Sequence, residues 1–136
     1  YVPYVTPMLR ALYDVLVVRD IRDVPLDFIN AHDIVLMSEV LEHLPAQDGT
    51  DLLKNIGPPI LITTPRDFFR SLVGHPTEEH ISHWSTESID YVKPIDRHDV
   101  GAEDGLGGIL VRTKPRLGWK PPKSLLTVHD FERLLP

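Results

Sequence analysis

The chain has 136 residues, 42% of them apolar and 25% charged, a balance that fits one globular domain and argues against disorder. It contains no run of about 18 apolar residues, so no membrane-spanning helix is expected, and Tyr1-Val2-Pro3-Tyr4 does not open a secretion signal. Zero cysteines exclude a disulfide scaffold, a thiol nucleophile, a zinc ribbon and an iron–sulfur site, and a cytoplasmic location is the default expectation.

The net charge of −6 is unevenly placed: residues 1–111 carry 8 bases and 18 acids, residues 112–136 carry 6 bases and 2 acids. An acidic body disfavours diffuse nucleic-acid binding. The basic arm from Arg112 to Lys123 is either a solvated tail or a local phosphate contact.

Thr6-Pro7 is a good helix opening, a hydroxyl cap followed by proline at the first helical position. The run Val15-Leu16-Val17-Val18 predicts a strand buried on both faces, the habit of parallel sheets, and Asp20 to Pro25 a polar loop beyond it. Asp33 to Met37 predicts a second strand, and Ser38 to Leu44 a helical turn or two stopped by Pro45. Asp48 can cap a helix through Leu52, Leu53 and Ile56 that closes at Gly57. Ile60 to Thr63 is a third apolar strand. Strands alternating with helices, each too apolar for a one-sided sheet, define an α/β domain with a mostly parallel sheet. Arg66 to Ser85 is a His-rich connection long enough to be functional. A helical segment over 86–92 and two closing strands over 92–100 and 108–113 complete the domain, residues 1–113. Residues 114–136 form a Pro-rich basic extension with a short terminal helix over 128–135.

In open α/β sheets, ligands bind beyond the carboxyl ends of the strands. Three such ends are Asp20-Ile21-Arg22, Ser38-Glu39 and Thr63-Thr64-Pro65. On an ideal helix, Glu39, Glu42 and His43 project within about 100° of one another, opposite Val40, Leu41 and Leu44. That polar face is either a solvated side of an amphipathic turn or a divalent-cation site, for which carboxylate oxygens suit magnesium or manganese and imidazole is tolerated. Further ligands stand in the connection: His75, Glu78, Glu79, His80 and His83. No H-E-x-x-H, H-x-x-E-H or G-x-S-x-G string occurs, and Gly105-Leu106-Gly107-Gly108 precedes a strand, as a hairpin turn does.

Val17-Val18-Arg19-Asp20-Ile21-Arg22-Asp23, Asp33-Ile34-Val35-Leu36-Met37-Ser38-Glu39-Val40-Leu41-Glu42-His43-Leu44 and Leu61-Ile62-Thr63-Thr64-Pro65 together resemble the class I S-adenosylmethionine-dependent methyltransferases, over residues 1–113. The resemblance implies a Rossmann-like fold entered at its third strand and methyl transfer to an O or N atom of a small-molecule acceptor. Asp20 and Ile21 would hold the adenine end of S-adenosylmethionine, and Ser38 and Glu39 the methionine portion. His43, or His80 or His83 from a lid over the strand ends, would act as general base, with catalysis mostly a matter of alignment. The family's glycine-rich loop and ribose-binding acid would precede Tyr1. The resemblance therefore implies a piece of a longer chain, or a relative whose bare apolar sheet surface needs a partner, a homo-oligomer included. A non-catalytic binding module of the same fold is the reading from another class. Arg66 also departs from the asparagine frequent after T-P.

A narrower likeness is to small-RNA 3′-terminal 2′-O-methyltransferases, which carry E-x-x-E-H and a later histidine that together bind a divalent metal. It implies Mg or Mn at Glu39, Glu42, His43 and His80 (or His83), with the basic arm around Trp119 reaching RNA phosphates.

Overall fold

The computed structural model describes residues 11–66, 79–100 and 108–121. Four strands, β1 (Val35–Ser38), β2 (Ile60–Pro65), β3 (Pro94–Val100) and β4 (Gly108–Thr113), form one sheet in the order β1-β2-β4-β3. Among the described residues, helix α1 (Leu26–Asn30) precedes β1 and helix α2 (Ala46–Asn55) lies between β1 and β2. The expected α/β domain is therefore present. β1 and β2 run parallel, Val35 opposite Ile60 and Ser38 opposite Thr63, with α2 in their crossover.

The sheet is mixed rather than mostly parallel, because β4 runs antiparallel to both β2 and β3. The short link between the two closing strands explains this, since a parallel return needs a crossover of a dozen or more residues. The expected strand at Val15–Val18 does not form. Residues 15–17 are half-buried and Val18 is exposed, without strand structure, and β1 pairs only with β2 among the described residues. A β-branched run supplies propensity, but a strand needs a hydrogen-bonded neighbour.

β2 alternates with a period of two: Ile60, Ile62 and Thr64 are buried, while Leu61, Thr63 and Pro65 are half-buried. With Ile109, Val111 and Met37 they make the inner face of the sheet. Leu41, Leu53, Ile56, Trp84 and Ile89 close the core over it. α2 is capped at Pro45, three residues before the expected Asp48 cap, with no side-chain cap hydrogen bond; proline's fixed φ suits a helix entry. The expected helix over 86–92 is a turn followed by a 3-10 turn at Asp90–Val92.

The start of the arm beyond β4 is strapped down. Arg116 N donates to Gly57 O (2.7 Å), Trp119 Nε1 donates to Asn30 O (3.2 Å), and Gly57 N donates to Asn30 Oδ1 (2.7 Å). A Cβ on Gly57 would collide with the Trp119 indole. Trp119 therefore packs before the start of β2, at the opposite end of that strand from Thr64. Of the helix expected from Thr6-Pro7 through Leu12, only Ala11 and Leu12 are described, and both are helical; the helix expected over 128–135 and the candidate ligands His75 and Glu78 lie outside the described residues.

Candidate metal centre at the strand ends

Ser38 ends β1, and the next residue, Glu39, takes φ 52°, a left-handed conformation uncommon for a residue with a side chain. Glu39 N still donates to Thr63 O (3.0 Å), so the parallel ladder runs to its last rung before the chain turns away. The expected helical turn over 38–44 shortens to a 3-10 turn at Leu41–His43, with Val40 at φ −121°. This break separates the two glutamates that a helix would align: Glu39 is exposed and Glu42 is 2% exposed.

Glu42 is buried because residues 79–84 lie across the turn. Ile81 N (2.8 Å) and Ser82 N (3.1 Å) donate to Glu42 O, while Ser82 Oγ (3.0 Å) and Trp84 Nε1 (2.9 Å) donate to Leu41 O. These bonds satisfy carbonyls that so short a turn leaves open and bring His80, itself buried, against His43. The two imidazoles meet edge to face with centroids 4.9 Å apart.

One donor atom from each of Glu42, His43 and His80 lies within 4.8 Å of the others. Glu42 Oε2 accepts from Thr64 Oγ1 (3.0 Å), a fully buried side chain on β2. Its other oxygen, Oε1, is buried with no hydrogen-bond partner among the described residues and lies 3.8 Å from His43 Nε2. His43 Nδ1 is 3.2 Å from Glu79 O. A carbonyl only accepts, so in the neutral imidazole Nδ1 carries the proton and the lone pair falls to Nε2, on the side of Glu42. Burial pushes the Glu42 carboxyl above the usual carboxylate range, against the pull of the Thr64 hydroxyl and with Glu39 adding to the rise.

The arrangement fits a divalent cation. A ligating imidazole anchored through its other nitrogen, and a ligating carboxylate held by a hydroxyl, are the outer contacts that metal sites use. Donors about 2.1 Å from one ion stand about 3.0–3.4 Å apart at octahedral or tetrahedral angles, so the widest pair of the group must draw in by more than an ångström to close on an ion. Two imidazoles and one carboxylate suit manganese, cobalt, zinc or iron(II) better than magnesium, which takes oxygen ligands.

The other expected site residues are placed differently. Glu39 is not part of the three-residue group. His83 is exposed, its Nε2 2.8 Å from Arg66 O. Ser38 Oγ is exposed beside the cluster's strand end and accepts from Thr63 Oγ1 (3.0 Å). Both Asp20 oxygens accept from Arg22: Oδ1 from N and Nε (2.9 Å each), Oδ2 from Nη2 (2.6 Å). Arg22 Nη1 continues to Asp48 Oδ2 (3.1 Å), and this guanidinium holds the Asp20 carboxyl down to about 2. Ile21 packs on the core and lines a cleft with Arg22, Asp48 and Leu52. Ser82 and Trp84 carry no functional signal in the sequence, whereas Thr64 belongs to the expected strand end Thr63-Thr64-Pro65. Thr64 has a signal, since the period of two in β2 puts it on the face of Ile60 and Ile62.

In comparisons with known proteins, no family model, no curated protein and no solved structure matches this chain; the class that can be stated is an α/β domain with a candidate metal centre.

Proposed function

We propose that this domain serves S-adenosylmethionine-dependent methyl transfer to a hydroxyl-bearing acceptor, with a divalent transition cation held by Glu42, His43 and His80. The observation that carries the metal half of this reading is the buried, unpartnered Glu42 Oε1 beside the lone pair of His43 Nε2. An isolated buried carboxylate oxygen costs several times what a satisfied one does, and a cation removes that cost. The methyl-transfer half is supported by the three strand-end segments that resemble the methyltransferase family and by the position of the cluster beyond the carboxyl ends of parallel β1 and β2, where such sheets take ligands.

When bound, the cation would lower the pKa of an acceptor hydroxyl and fix its orientation. The chain's own residues do the rest. Thr64 aims the Glu42 carboxylate, and the Glu79 carbonyl sets the His43 tautomer. Ser38 and Glu39, exposed at the mouth, present a hydroxyl and a carboxylate to the cofactor's methionine portion or to the acceptor. The Glu42, His43 and His80 group supports a metal-assisted O-methyltransferase over a metal-free small-molecule enzyme. The reach of Trp119 to phosphates near the site is not part of the proposal, because Trp119 is docked at the far end of β2.

The test is thermal unfolding of the full chain with manganese, then with S-adenosylhomocysteine. A cation at about 100 times its dissociation constant adds about 2.7 kcal/mol, and Glu42→Gln, which keeps shape but not charge, should abolish that shift. No response to manganese, or one that survives Glu42→Gln, would sink the metal site. A manganese response without any to the nucleoside leaves the metal and removes the methyl donor.

A further inference from the structure

A second site stands apart from the metal centre. Between the end of α2, the Asp90–Val92 turn and the arm after β4 runs a groove of about 320 Å³. Its floor is apolar, with Leu53, Ile56 and Ile60, and its lining includes Lys54, Lys93, Lys114 and Arg116 but no acid. The chain as a whole carries −6, so four bases without an acid are a local reversal of its field. All four are exposed, and among the described residues none is in an ion pair. Asp90, beside the groove, is taken up by Arg97. Tyr91 stands 38% exposed in the lining, with Lys54 Nζ 5.4 Å from its ring centroid.

Lys93 has φ 52°. Glycine or asparagine would occupy that left-handed position at lower cost, yet a lysine stands there, at the rim, and sparsely populated backbone conformations gather at ligand sites. We propose that this groove binds the backbone of a single-stranded nucleic acid, with Lys54, Lys93, Lys114 and Arg116 on successive phosphates and one base over the apolar floor against Tyr91. Phosphate-tracking cations beside an aromatic face are what a single strand needs. Converging positive charge in a cleft also focuses the field enough to recruit a polyanion to an otherwise acidic protein. The site is independent of the metal reading.

The experiment is fluorescence anisotropy of a short labelled oligouridylate, and of an oligothymidylate, titrated with the full chain between about 50 and 200 mM salt. Four neutralised phosphates on a single strand predict a log–log salt slope of about −2.8, an affinity loss of about fifty-fold over that range. Lys93→Glu with Lys114→Glu should halve the slope and weaken binding at least about tenfold at the low-salt end. Lys120→Glu, outside the groove, and Glu42→Gln, at the metal centre, should leave binding unchanged. Absent binding at low salt, a slope near zero, full affinity in the double variant, or equal competition by polyglutamate would each overturn the assignment; the last would make the groove an acidic-peptide site.

Discussion

Gly49 lies inside α2 with its face toward Trp84. An alanine Cβ there would stand 2.6 Å from Trp84 Cζ2, 3.0 Å from Cη2 and 3.5 Å from Leu41 Cδ2. In an exposed helix interior, Gly→Ala stabilises by about 0.5–1 kcal/mol through backbone entropy. Here the new methyl sits about 1 Å inside the optimal carbon–carbon separation. The indole cannot yield cheaply: it is 3% exposed and its Nε1 donates to Leu41 O and Ser82 Oγ. Overpacking of this kind costs about 1–3 kcal/mol. The net effect of Gly49→Ala is a loss of about 1–2 kcal/mol, or about 4–8 °C in Tm for a chain of this size.

Thermal denaturation by circular dichroism reads the shift directly. Because Trp84 anchors the segment that carries His80, the same variant should weaken the manganese response, which a remote helix substitution would not do. Pairing Gly49→Ala with Trp84→Phe, which removes the colliding atoms, should recover part of the loss and give a favourable coupling in a double-mutant cycle. A Tm that is unchanged or raised in Gly49→Ala would refute the packing argument, since propensity alone would then decide the sign.

Asp20 should give the domain an acid-labile increment. Its folded pKa, about 2 against an ordinary 3.8, is depressed, so the stabilisation is present above pH 4 and disappears as pH falls toward 2. With 38% of the side chain exposed, solvent screening keeps the increment below about 1 kcal/mol, and Asp20→Asn should flatten the urea-midpoint profile over that window; an unchanged profile would show that the Arg22 pairing contributes nothing. Trp119→Ala should cost about 1–2 kcal/mol, less than a fully buried tryptophan, because its ring is half-buried against Gly57. The manganese-induced shift should stay intact, and a lost shift would mean that the two ends of β2 are coupled.

The strands most legible in the sequence were those whose partners came with them. Ile60 to Thr63 and 108–113 carry apolar runs, and each finds the other across β2 and β4. Val15–Val18 carries as good a run and forms no strand, because residue type sets what a strand would bury but not whether a neighbour stands beside it. The candidate metal centre was legible as a set of residue types and illegible as a geometry. A helical wheel puts Glu42 on the same open face as Glu39. The left-handed turn at Glu39 breaks that face, and burial of Glu42 comes from residues 79–84, about 40 positions downstream. Asp20 illustrates the reverse case, since an arginine two residues on was visible in the sequence and is enough to occupy the carboxylate.

Glu42 sets stability against function in a way that a purely structural carboxylate does not. Without a cation its Oε1 is buried and unpartnered, and burial resists its ionisation. In Glu42→Gln, the amide Nε2 can take the place of Oε1 and, once the 3.8 Å gap to His43 Nε2 closes to hydrogen-bond length, donate to its lone pair, while the amide oxygen still accepts from Thr64 Oγ1. The exchange replaces an unsatisfied buried acceptor with a satisfied donor, worth about 1–3 kcal/mol. Metal-free Glu42→Gln should therefore melt above the metal-free parent, and below the parent once manganese is added, so the order of the two melting temperatures reverses with the ion. Active-site residues commonly lower stability in the unliganded state. A carboxylate kept only for packing would instead leave Glu42→Gln neutral or destabilised in both conditions, and that outcome would show that the orphaned oxygen is not held for a ligand.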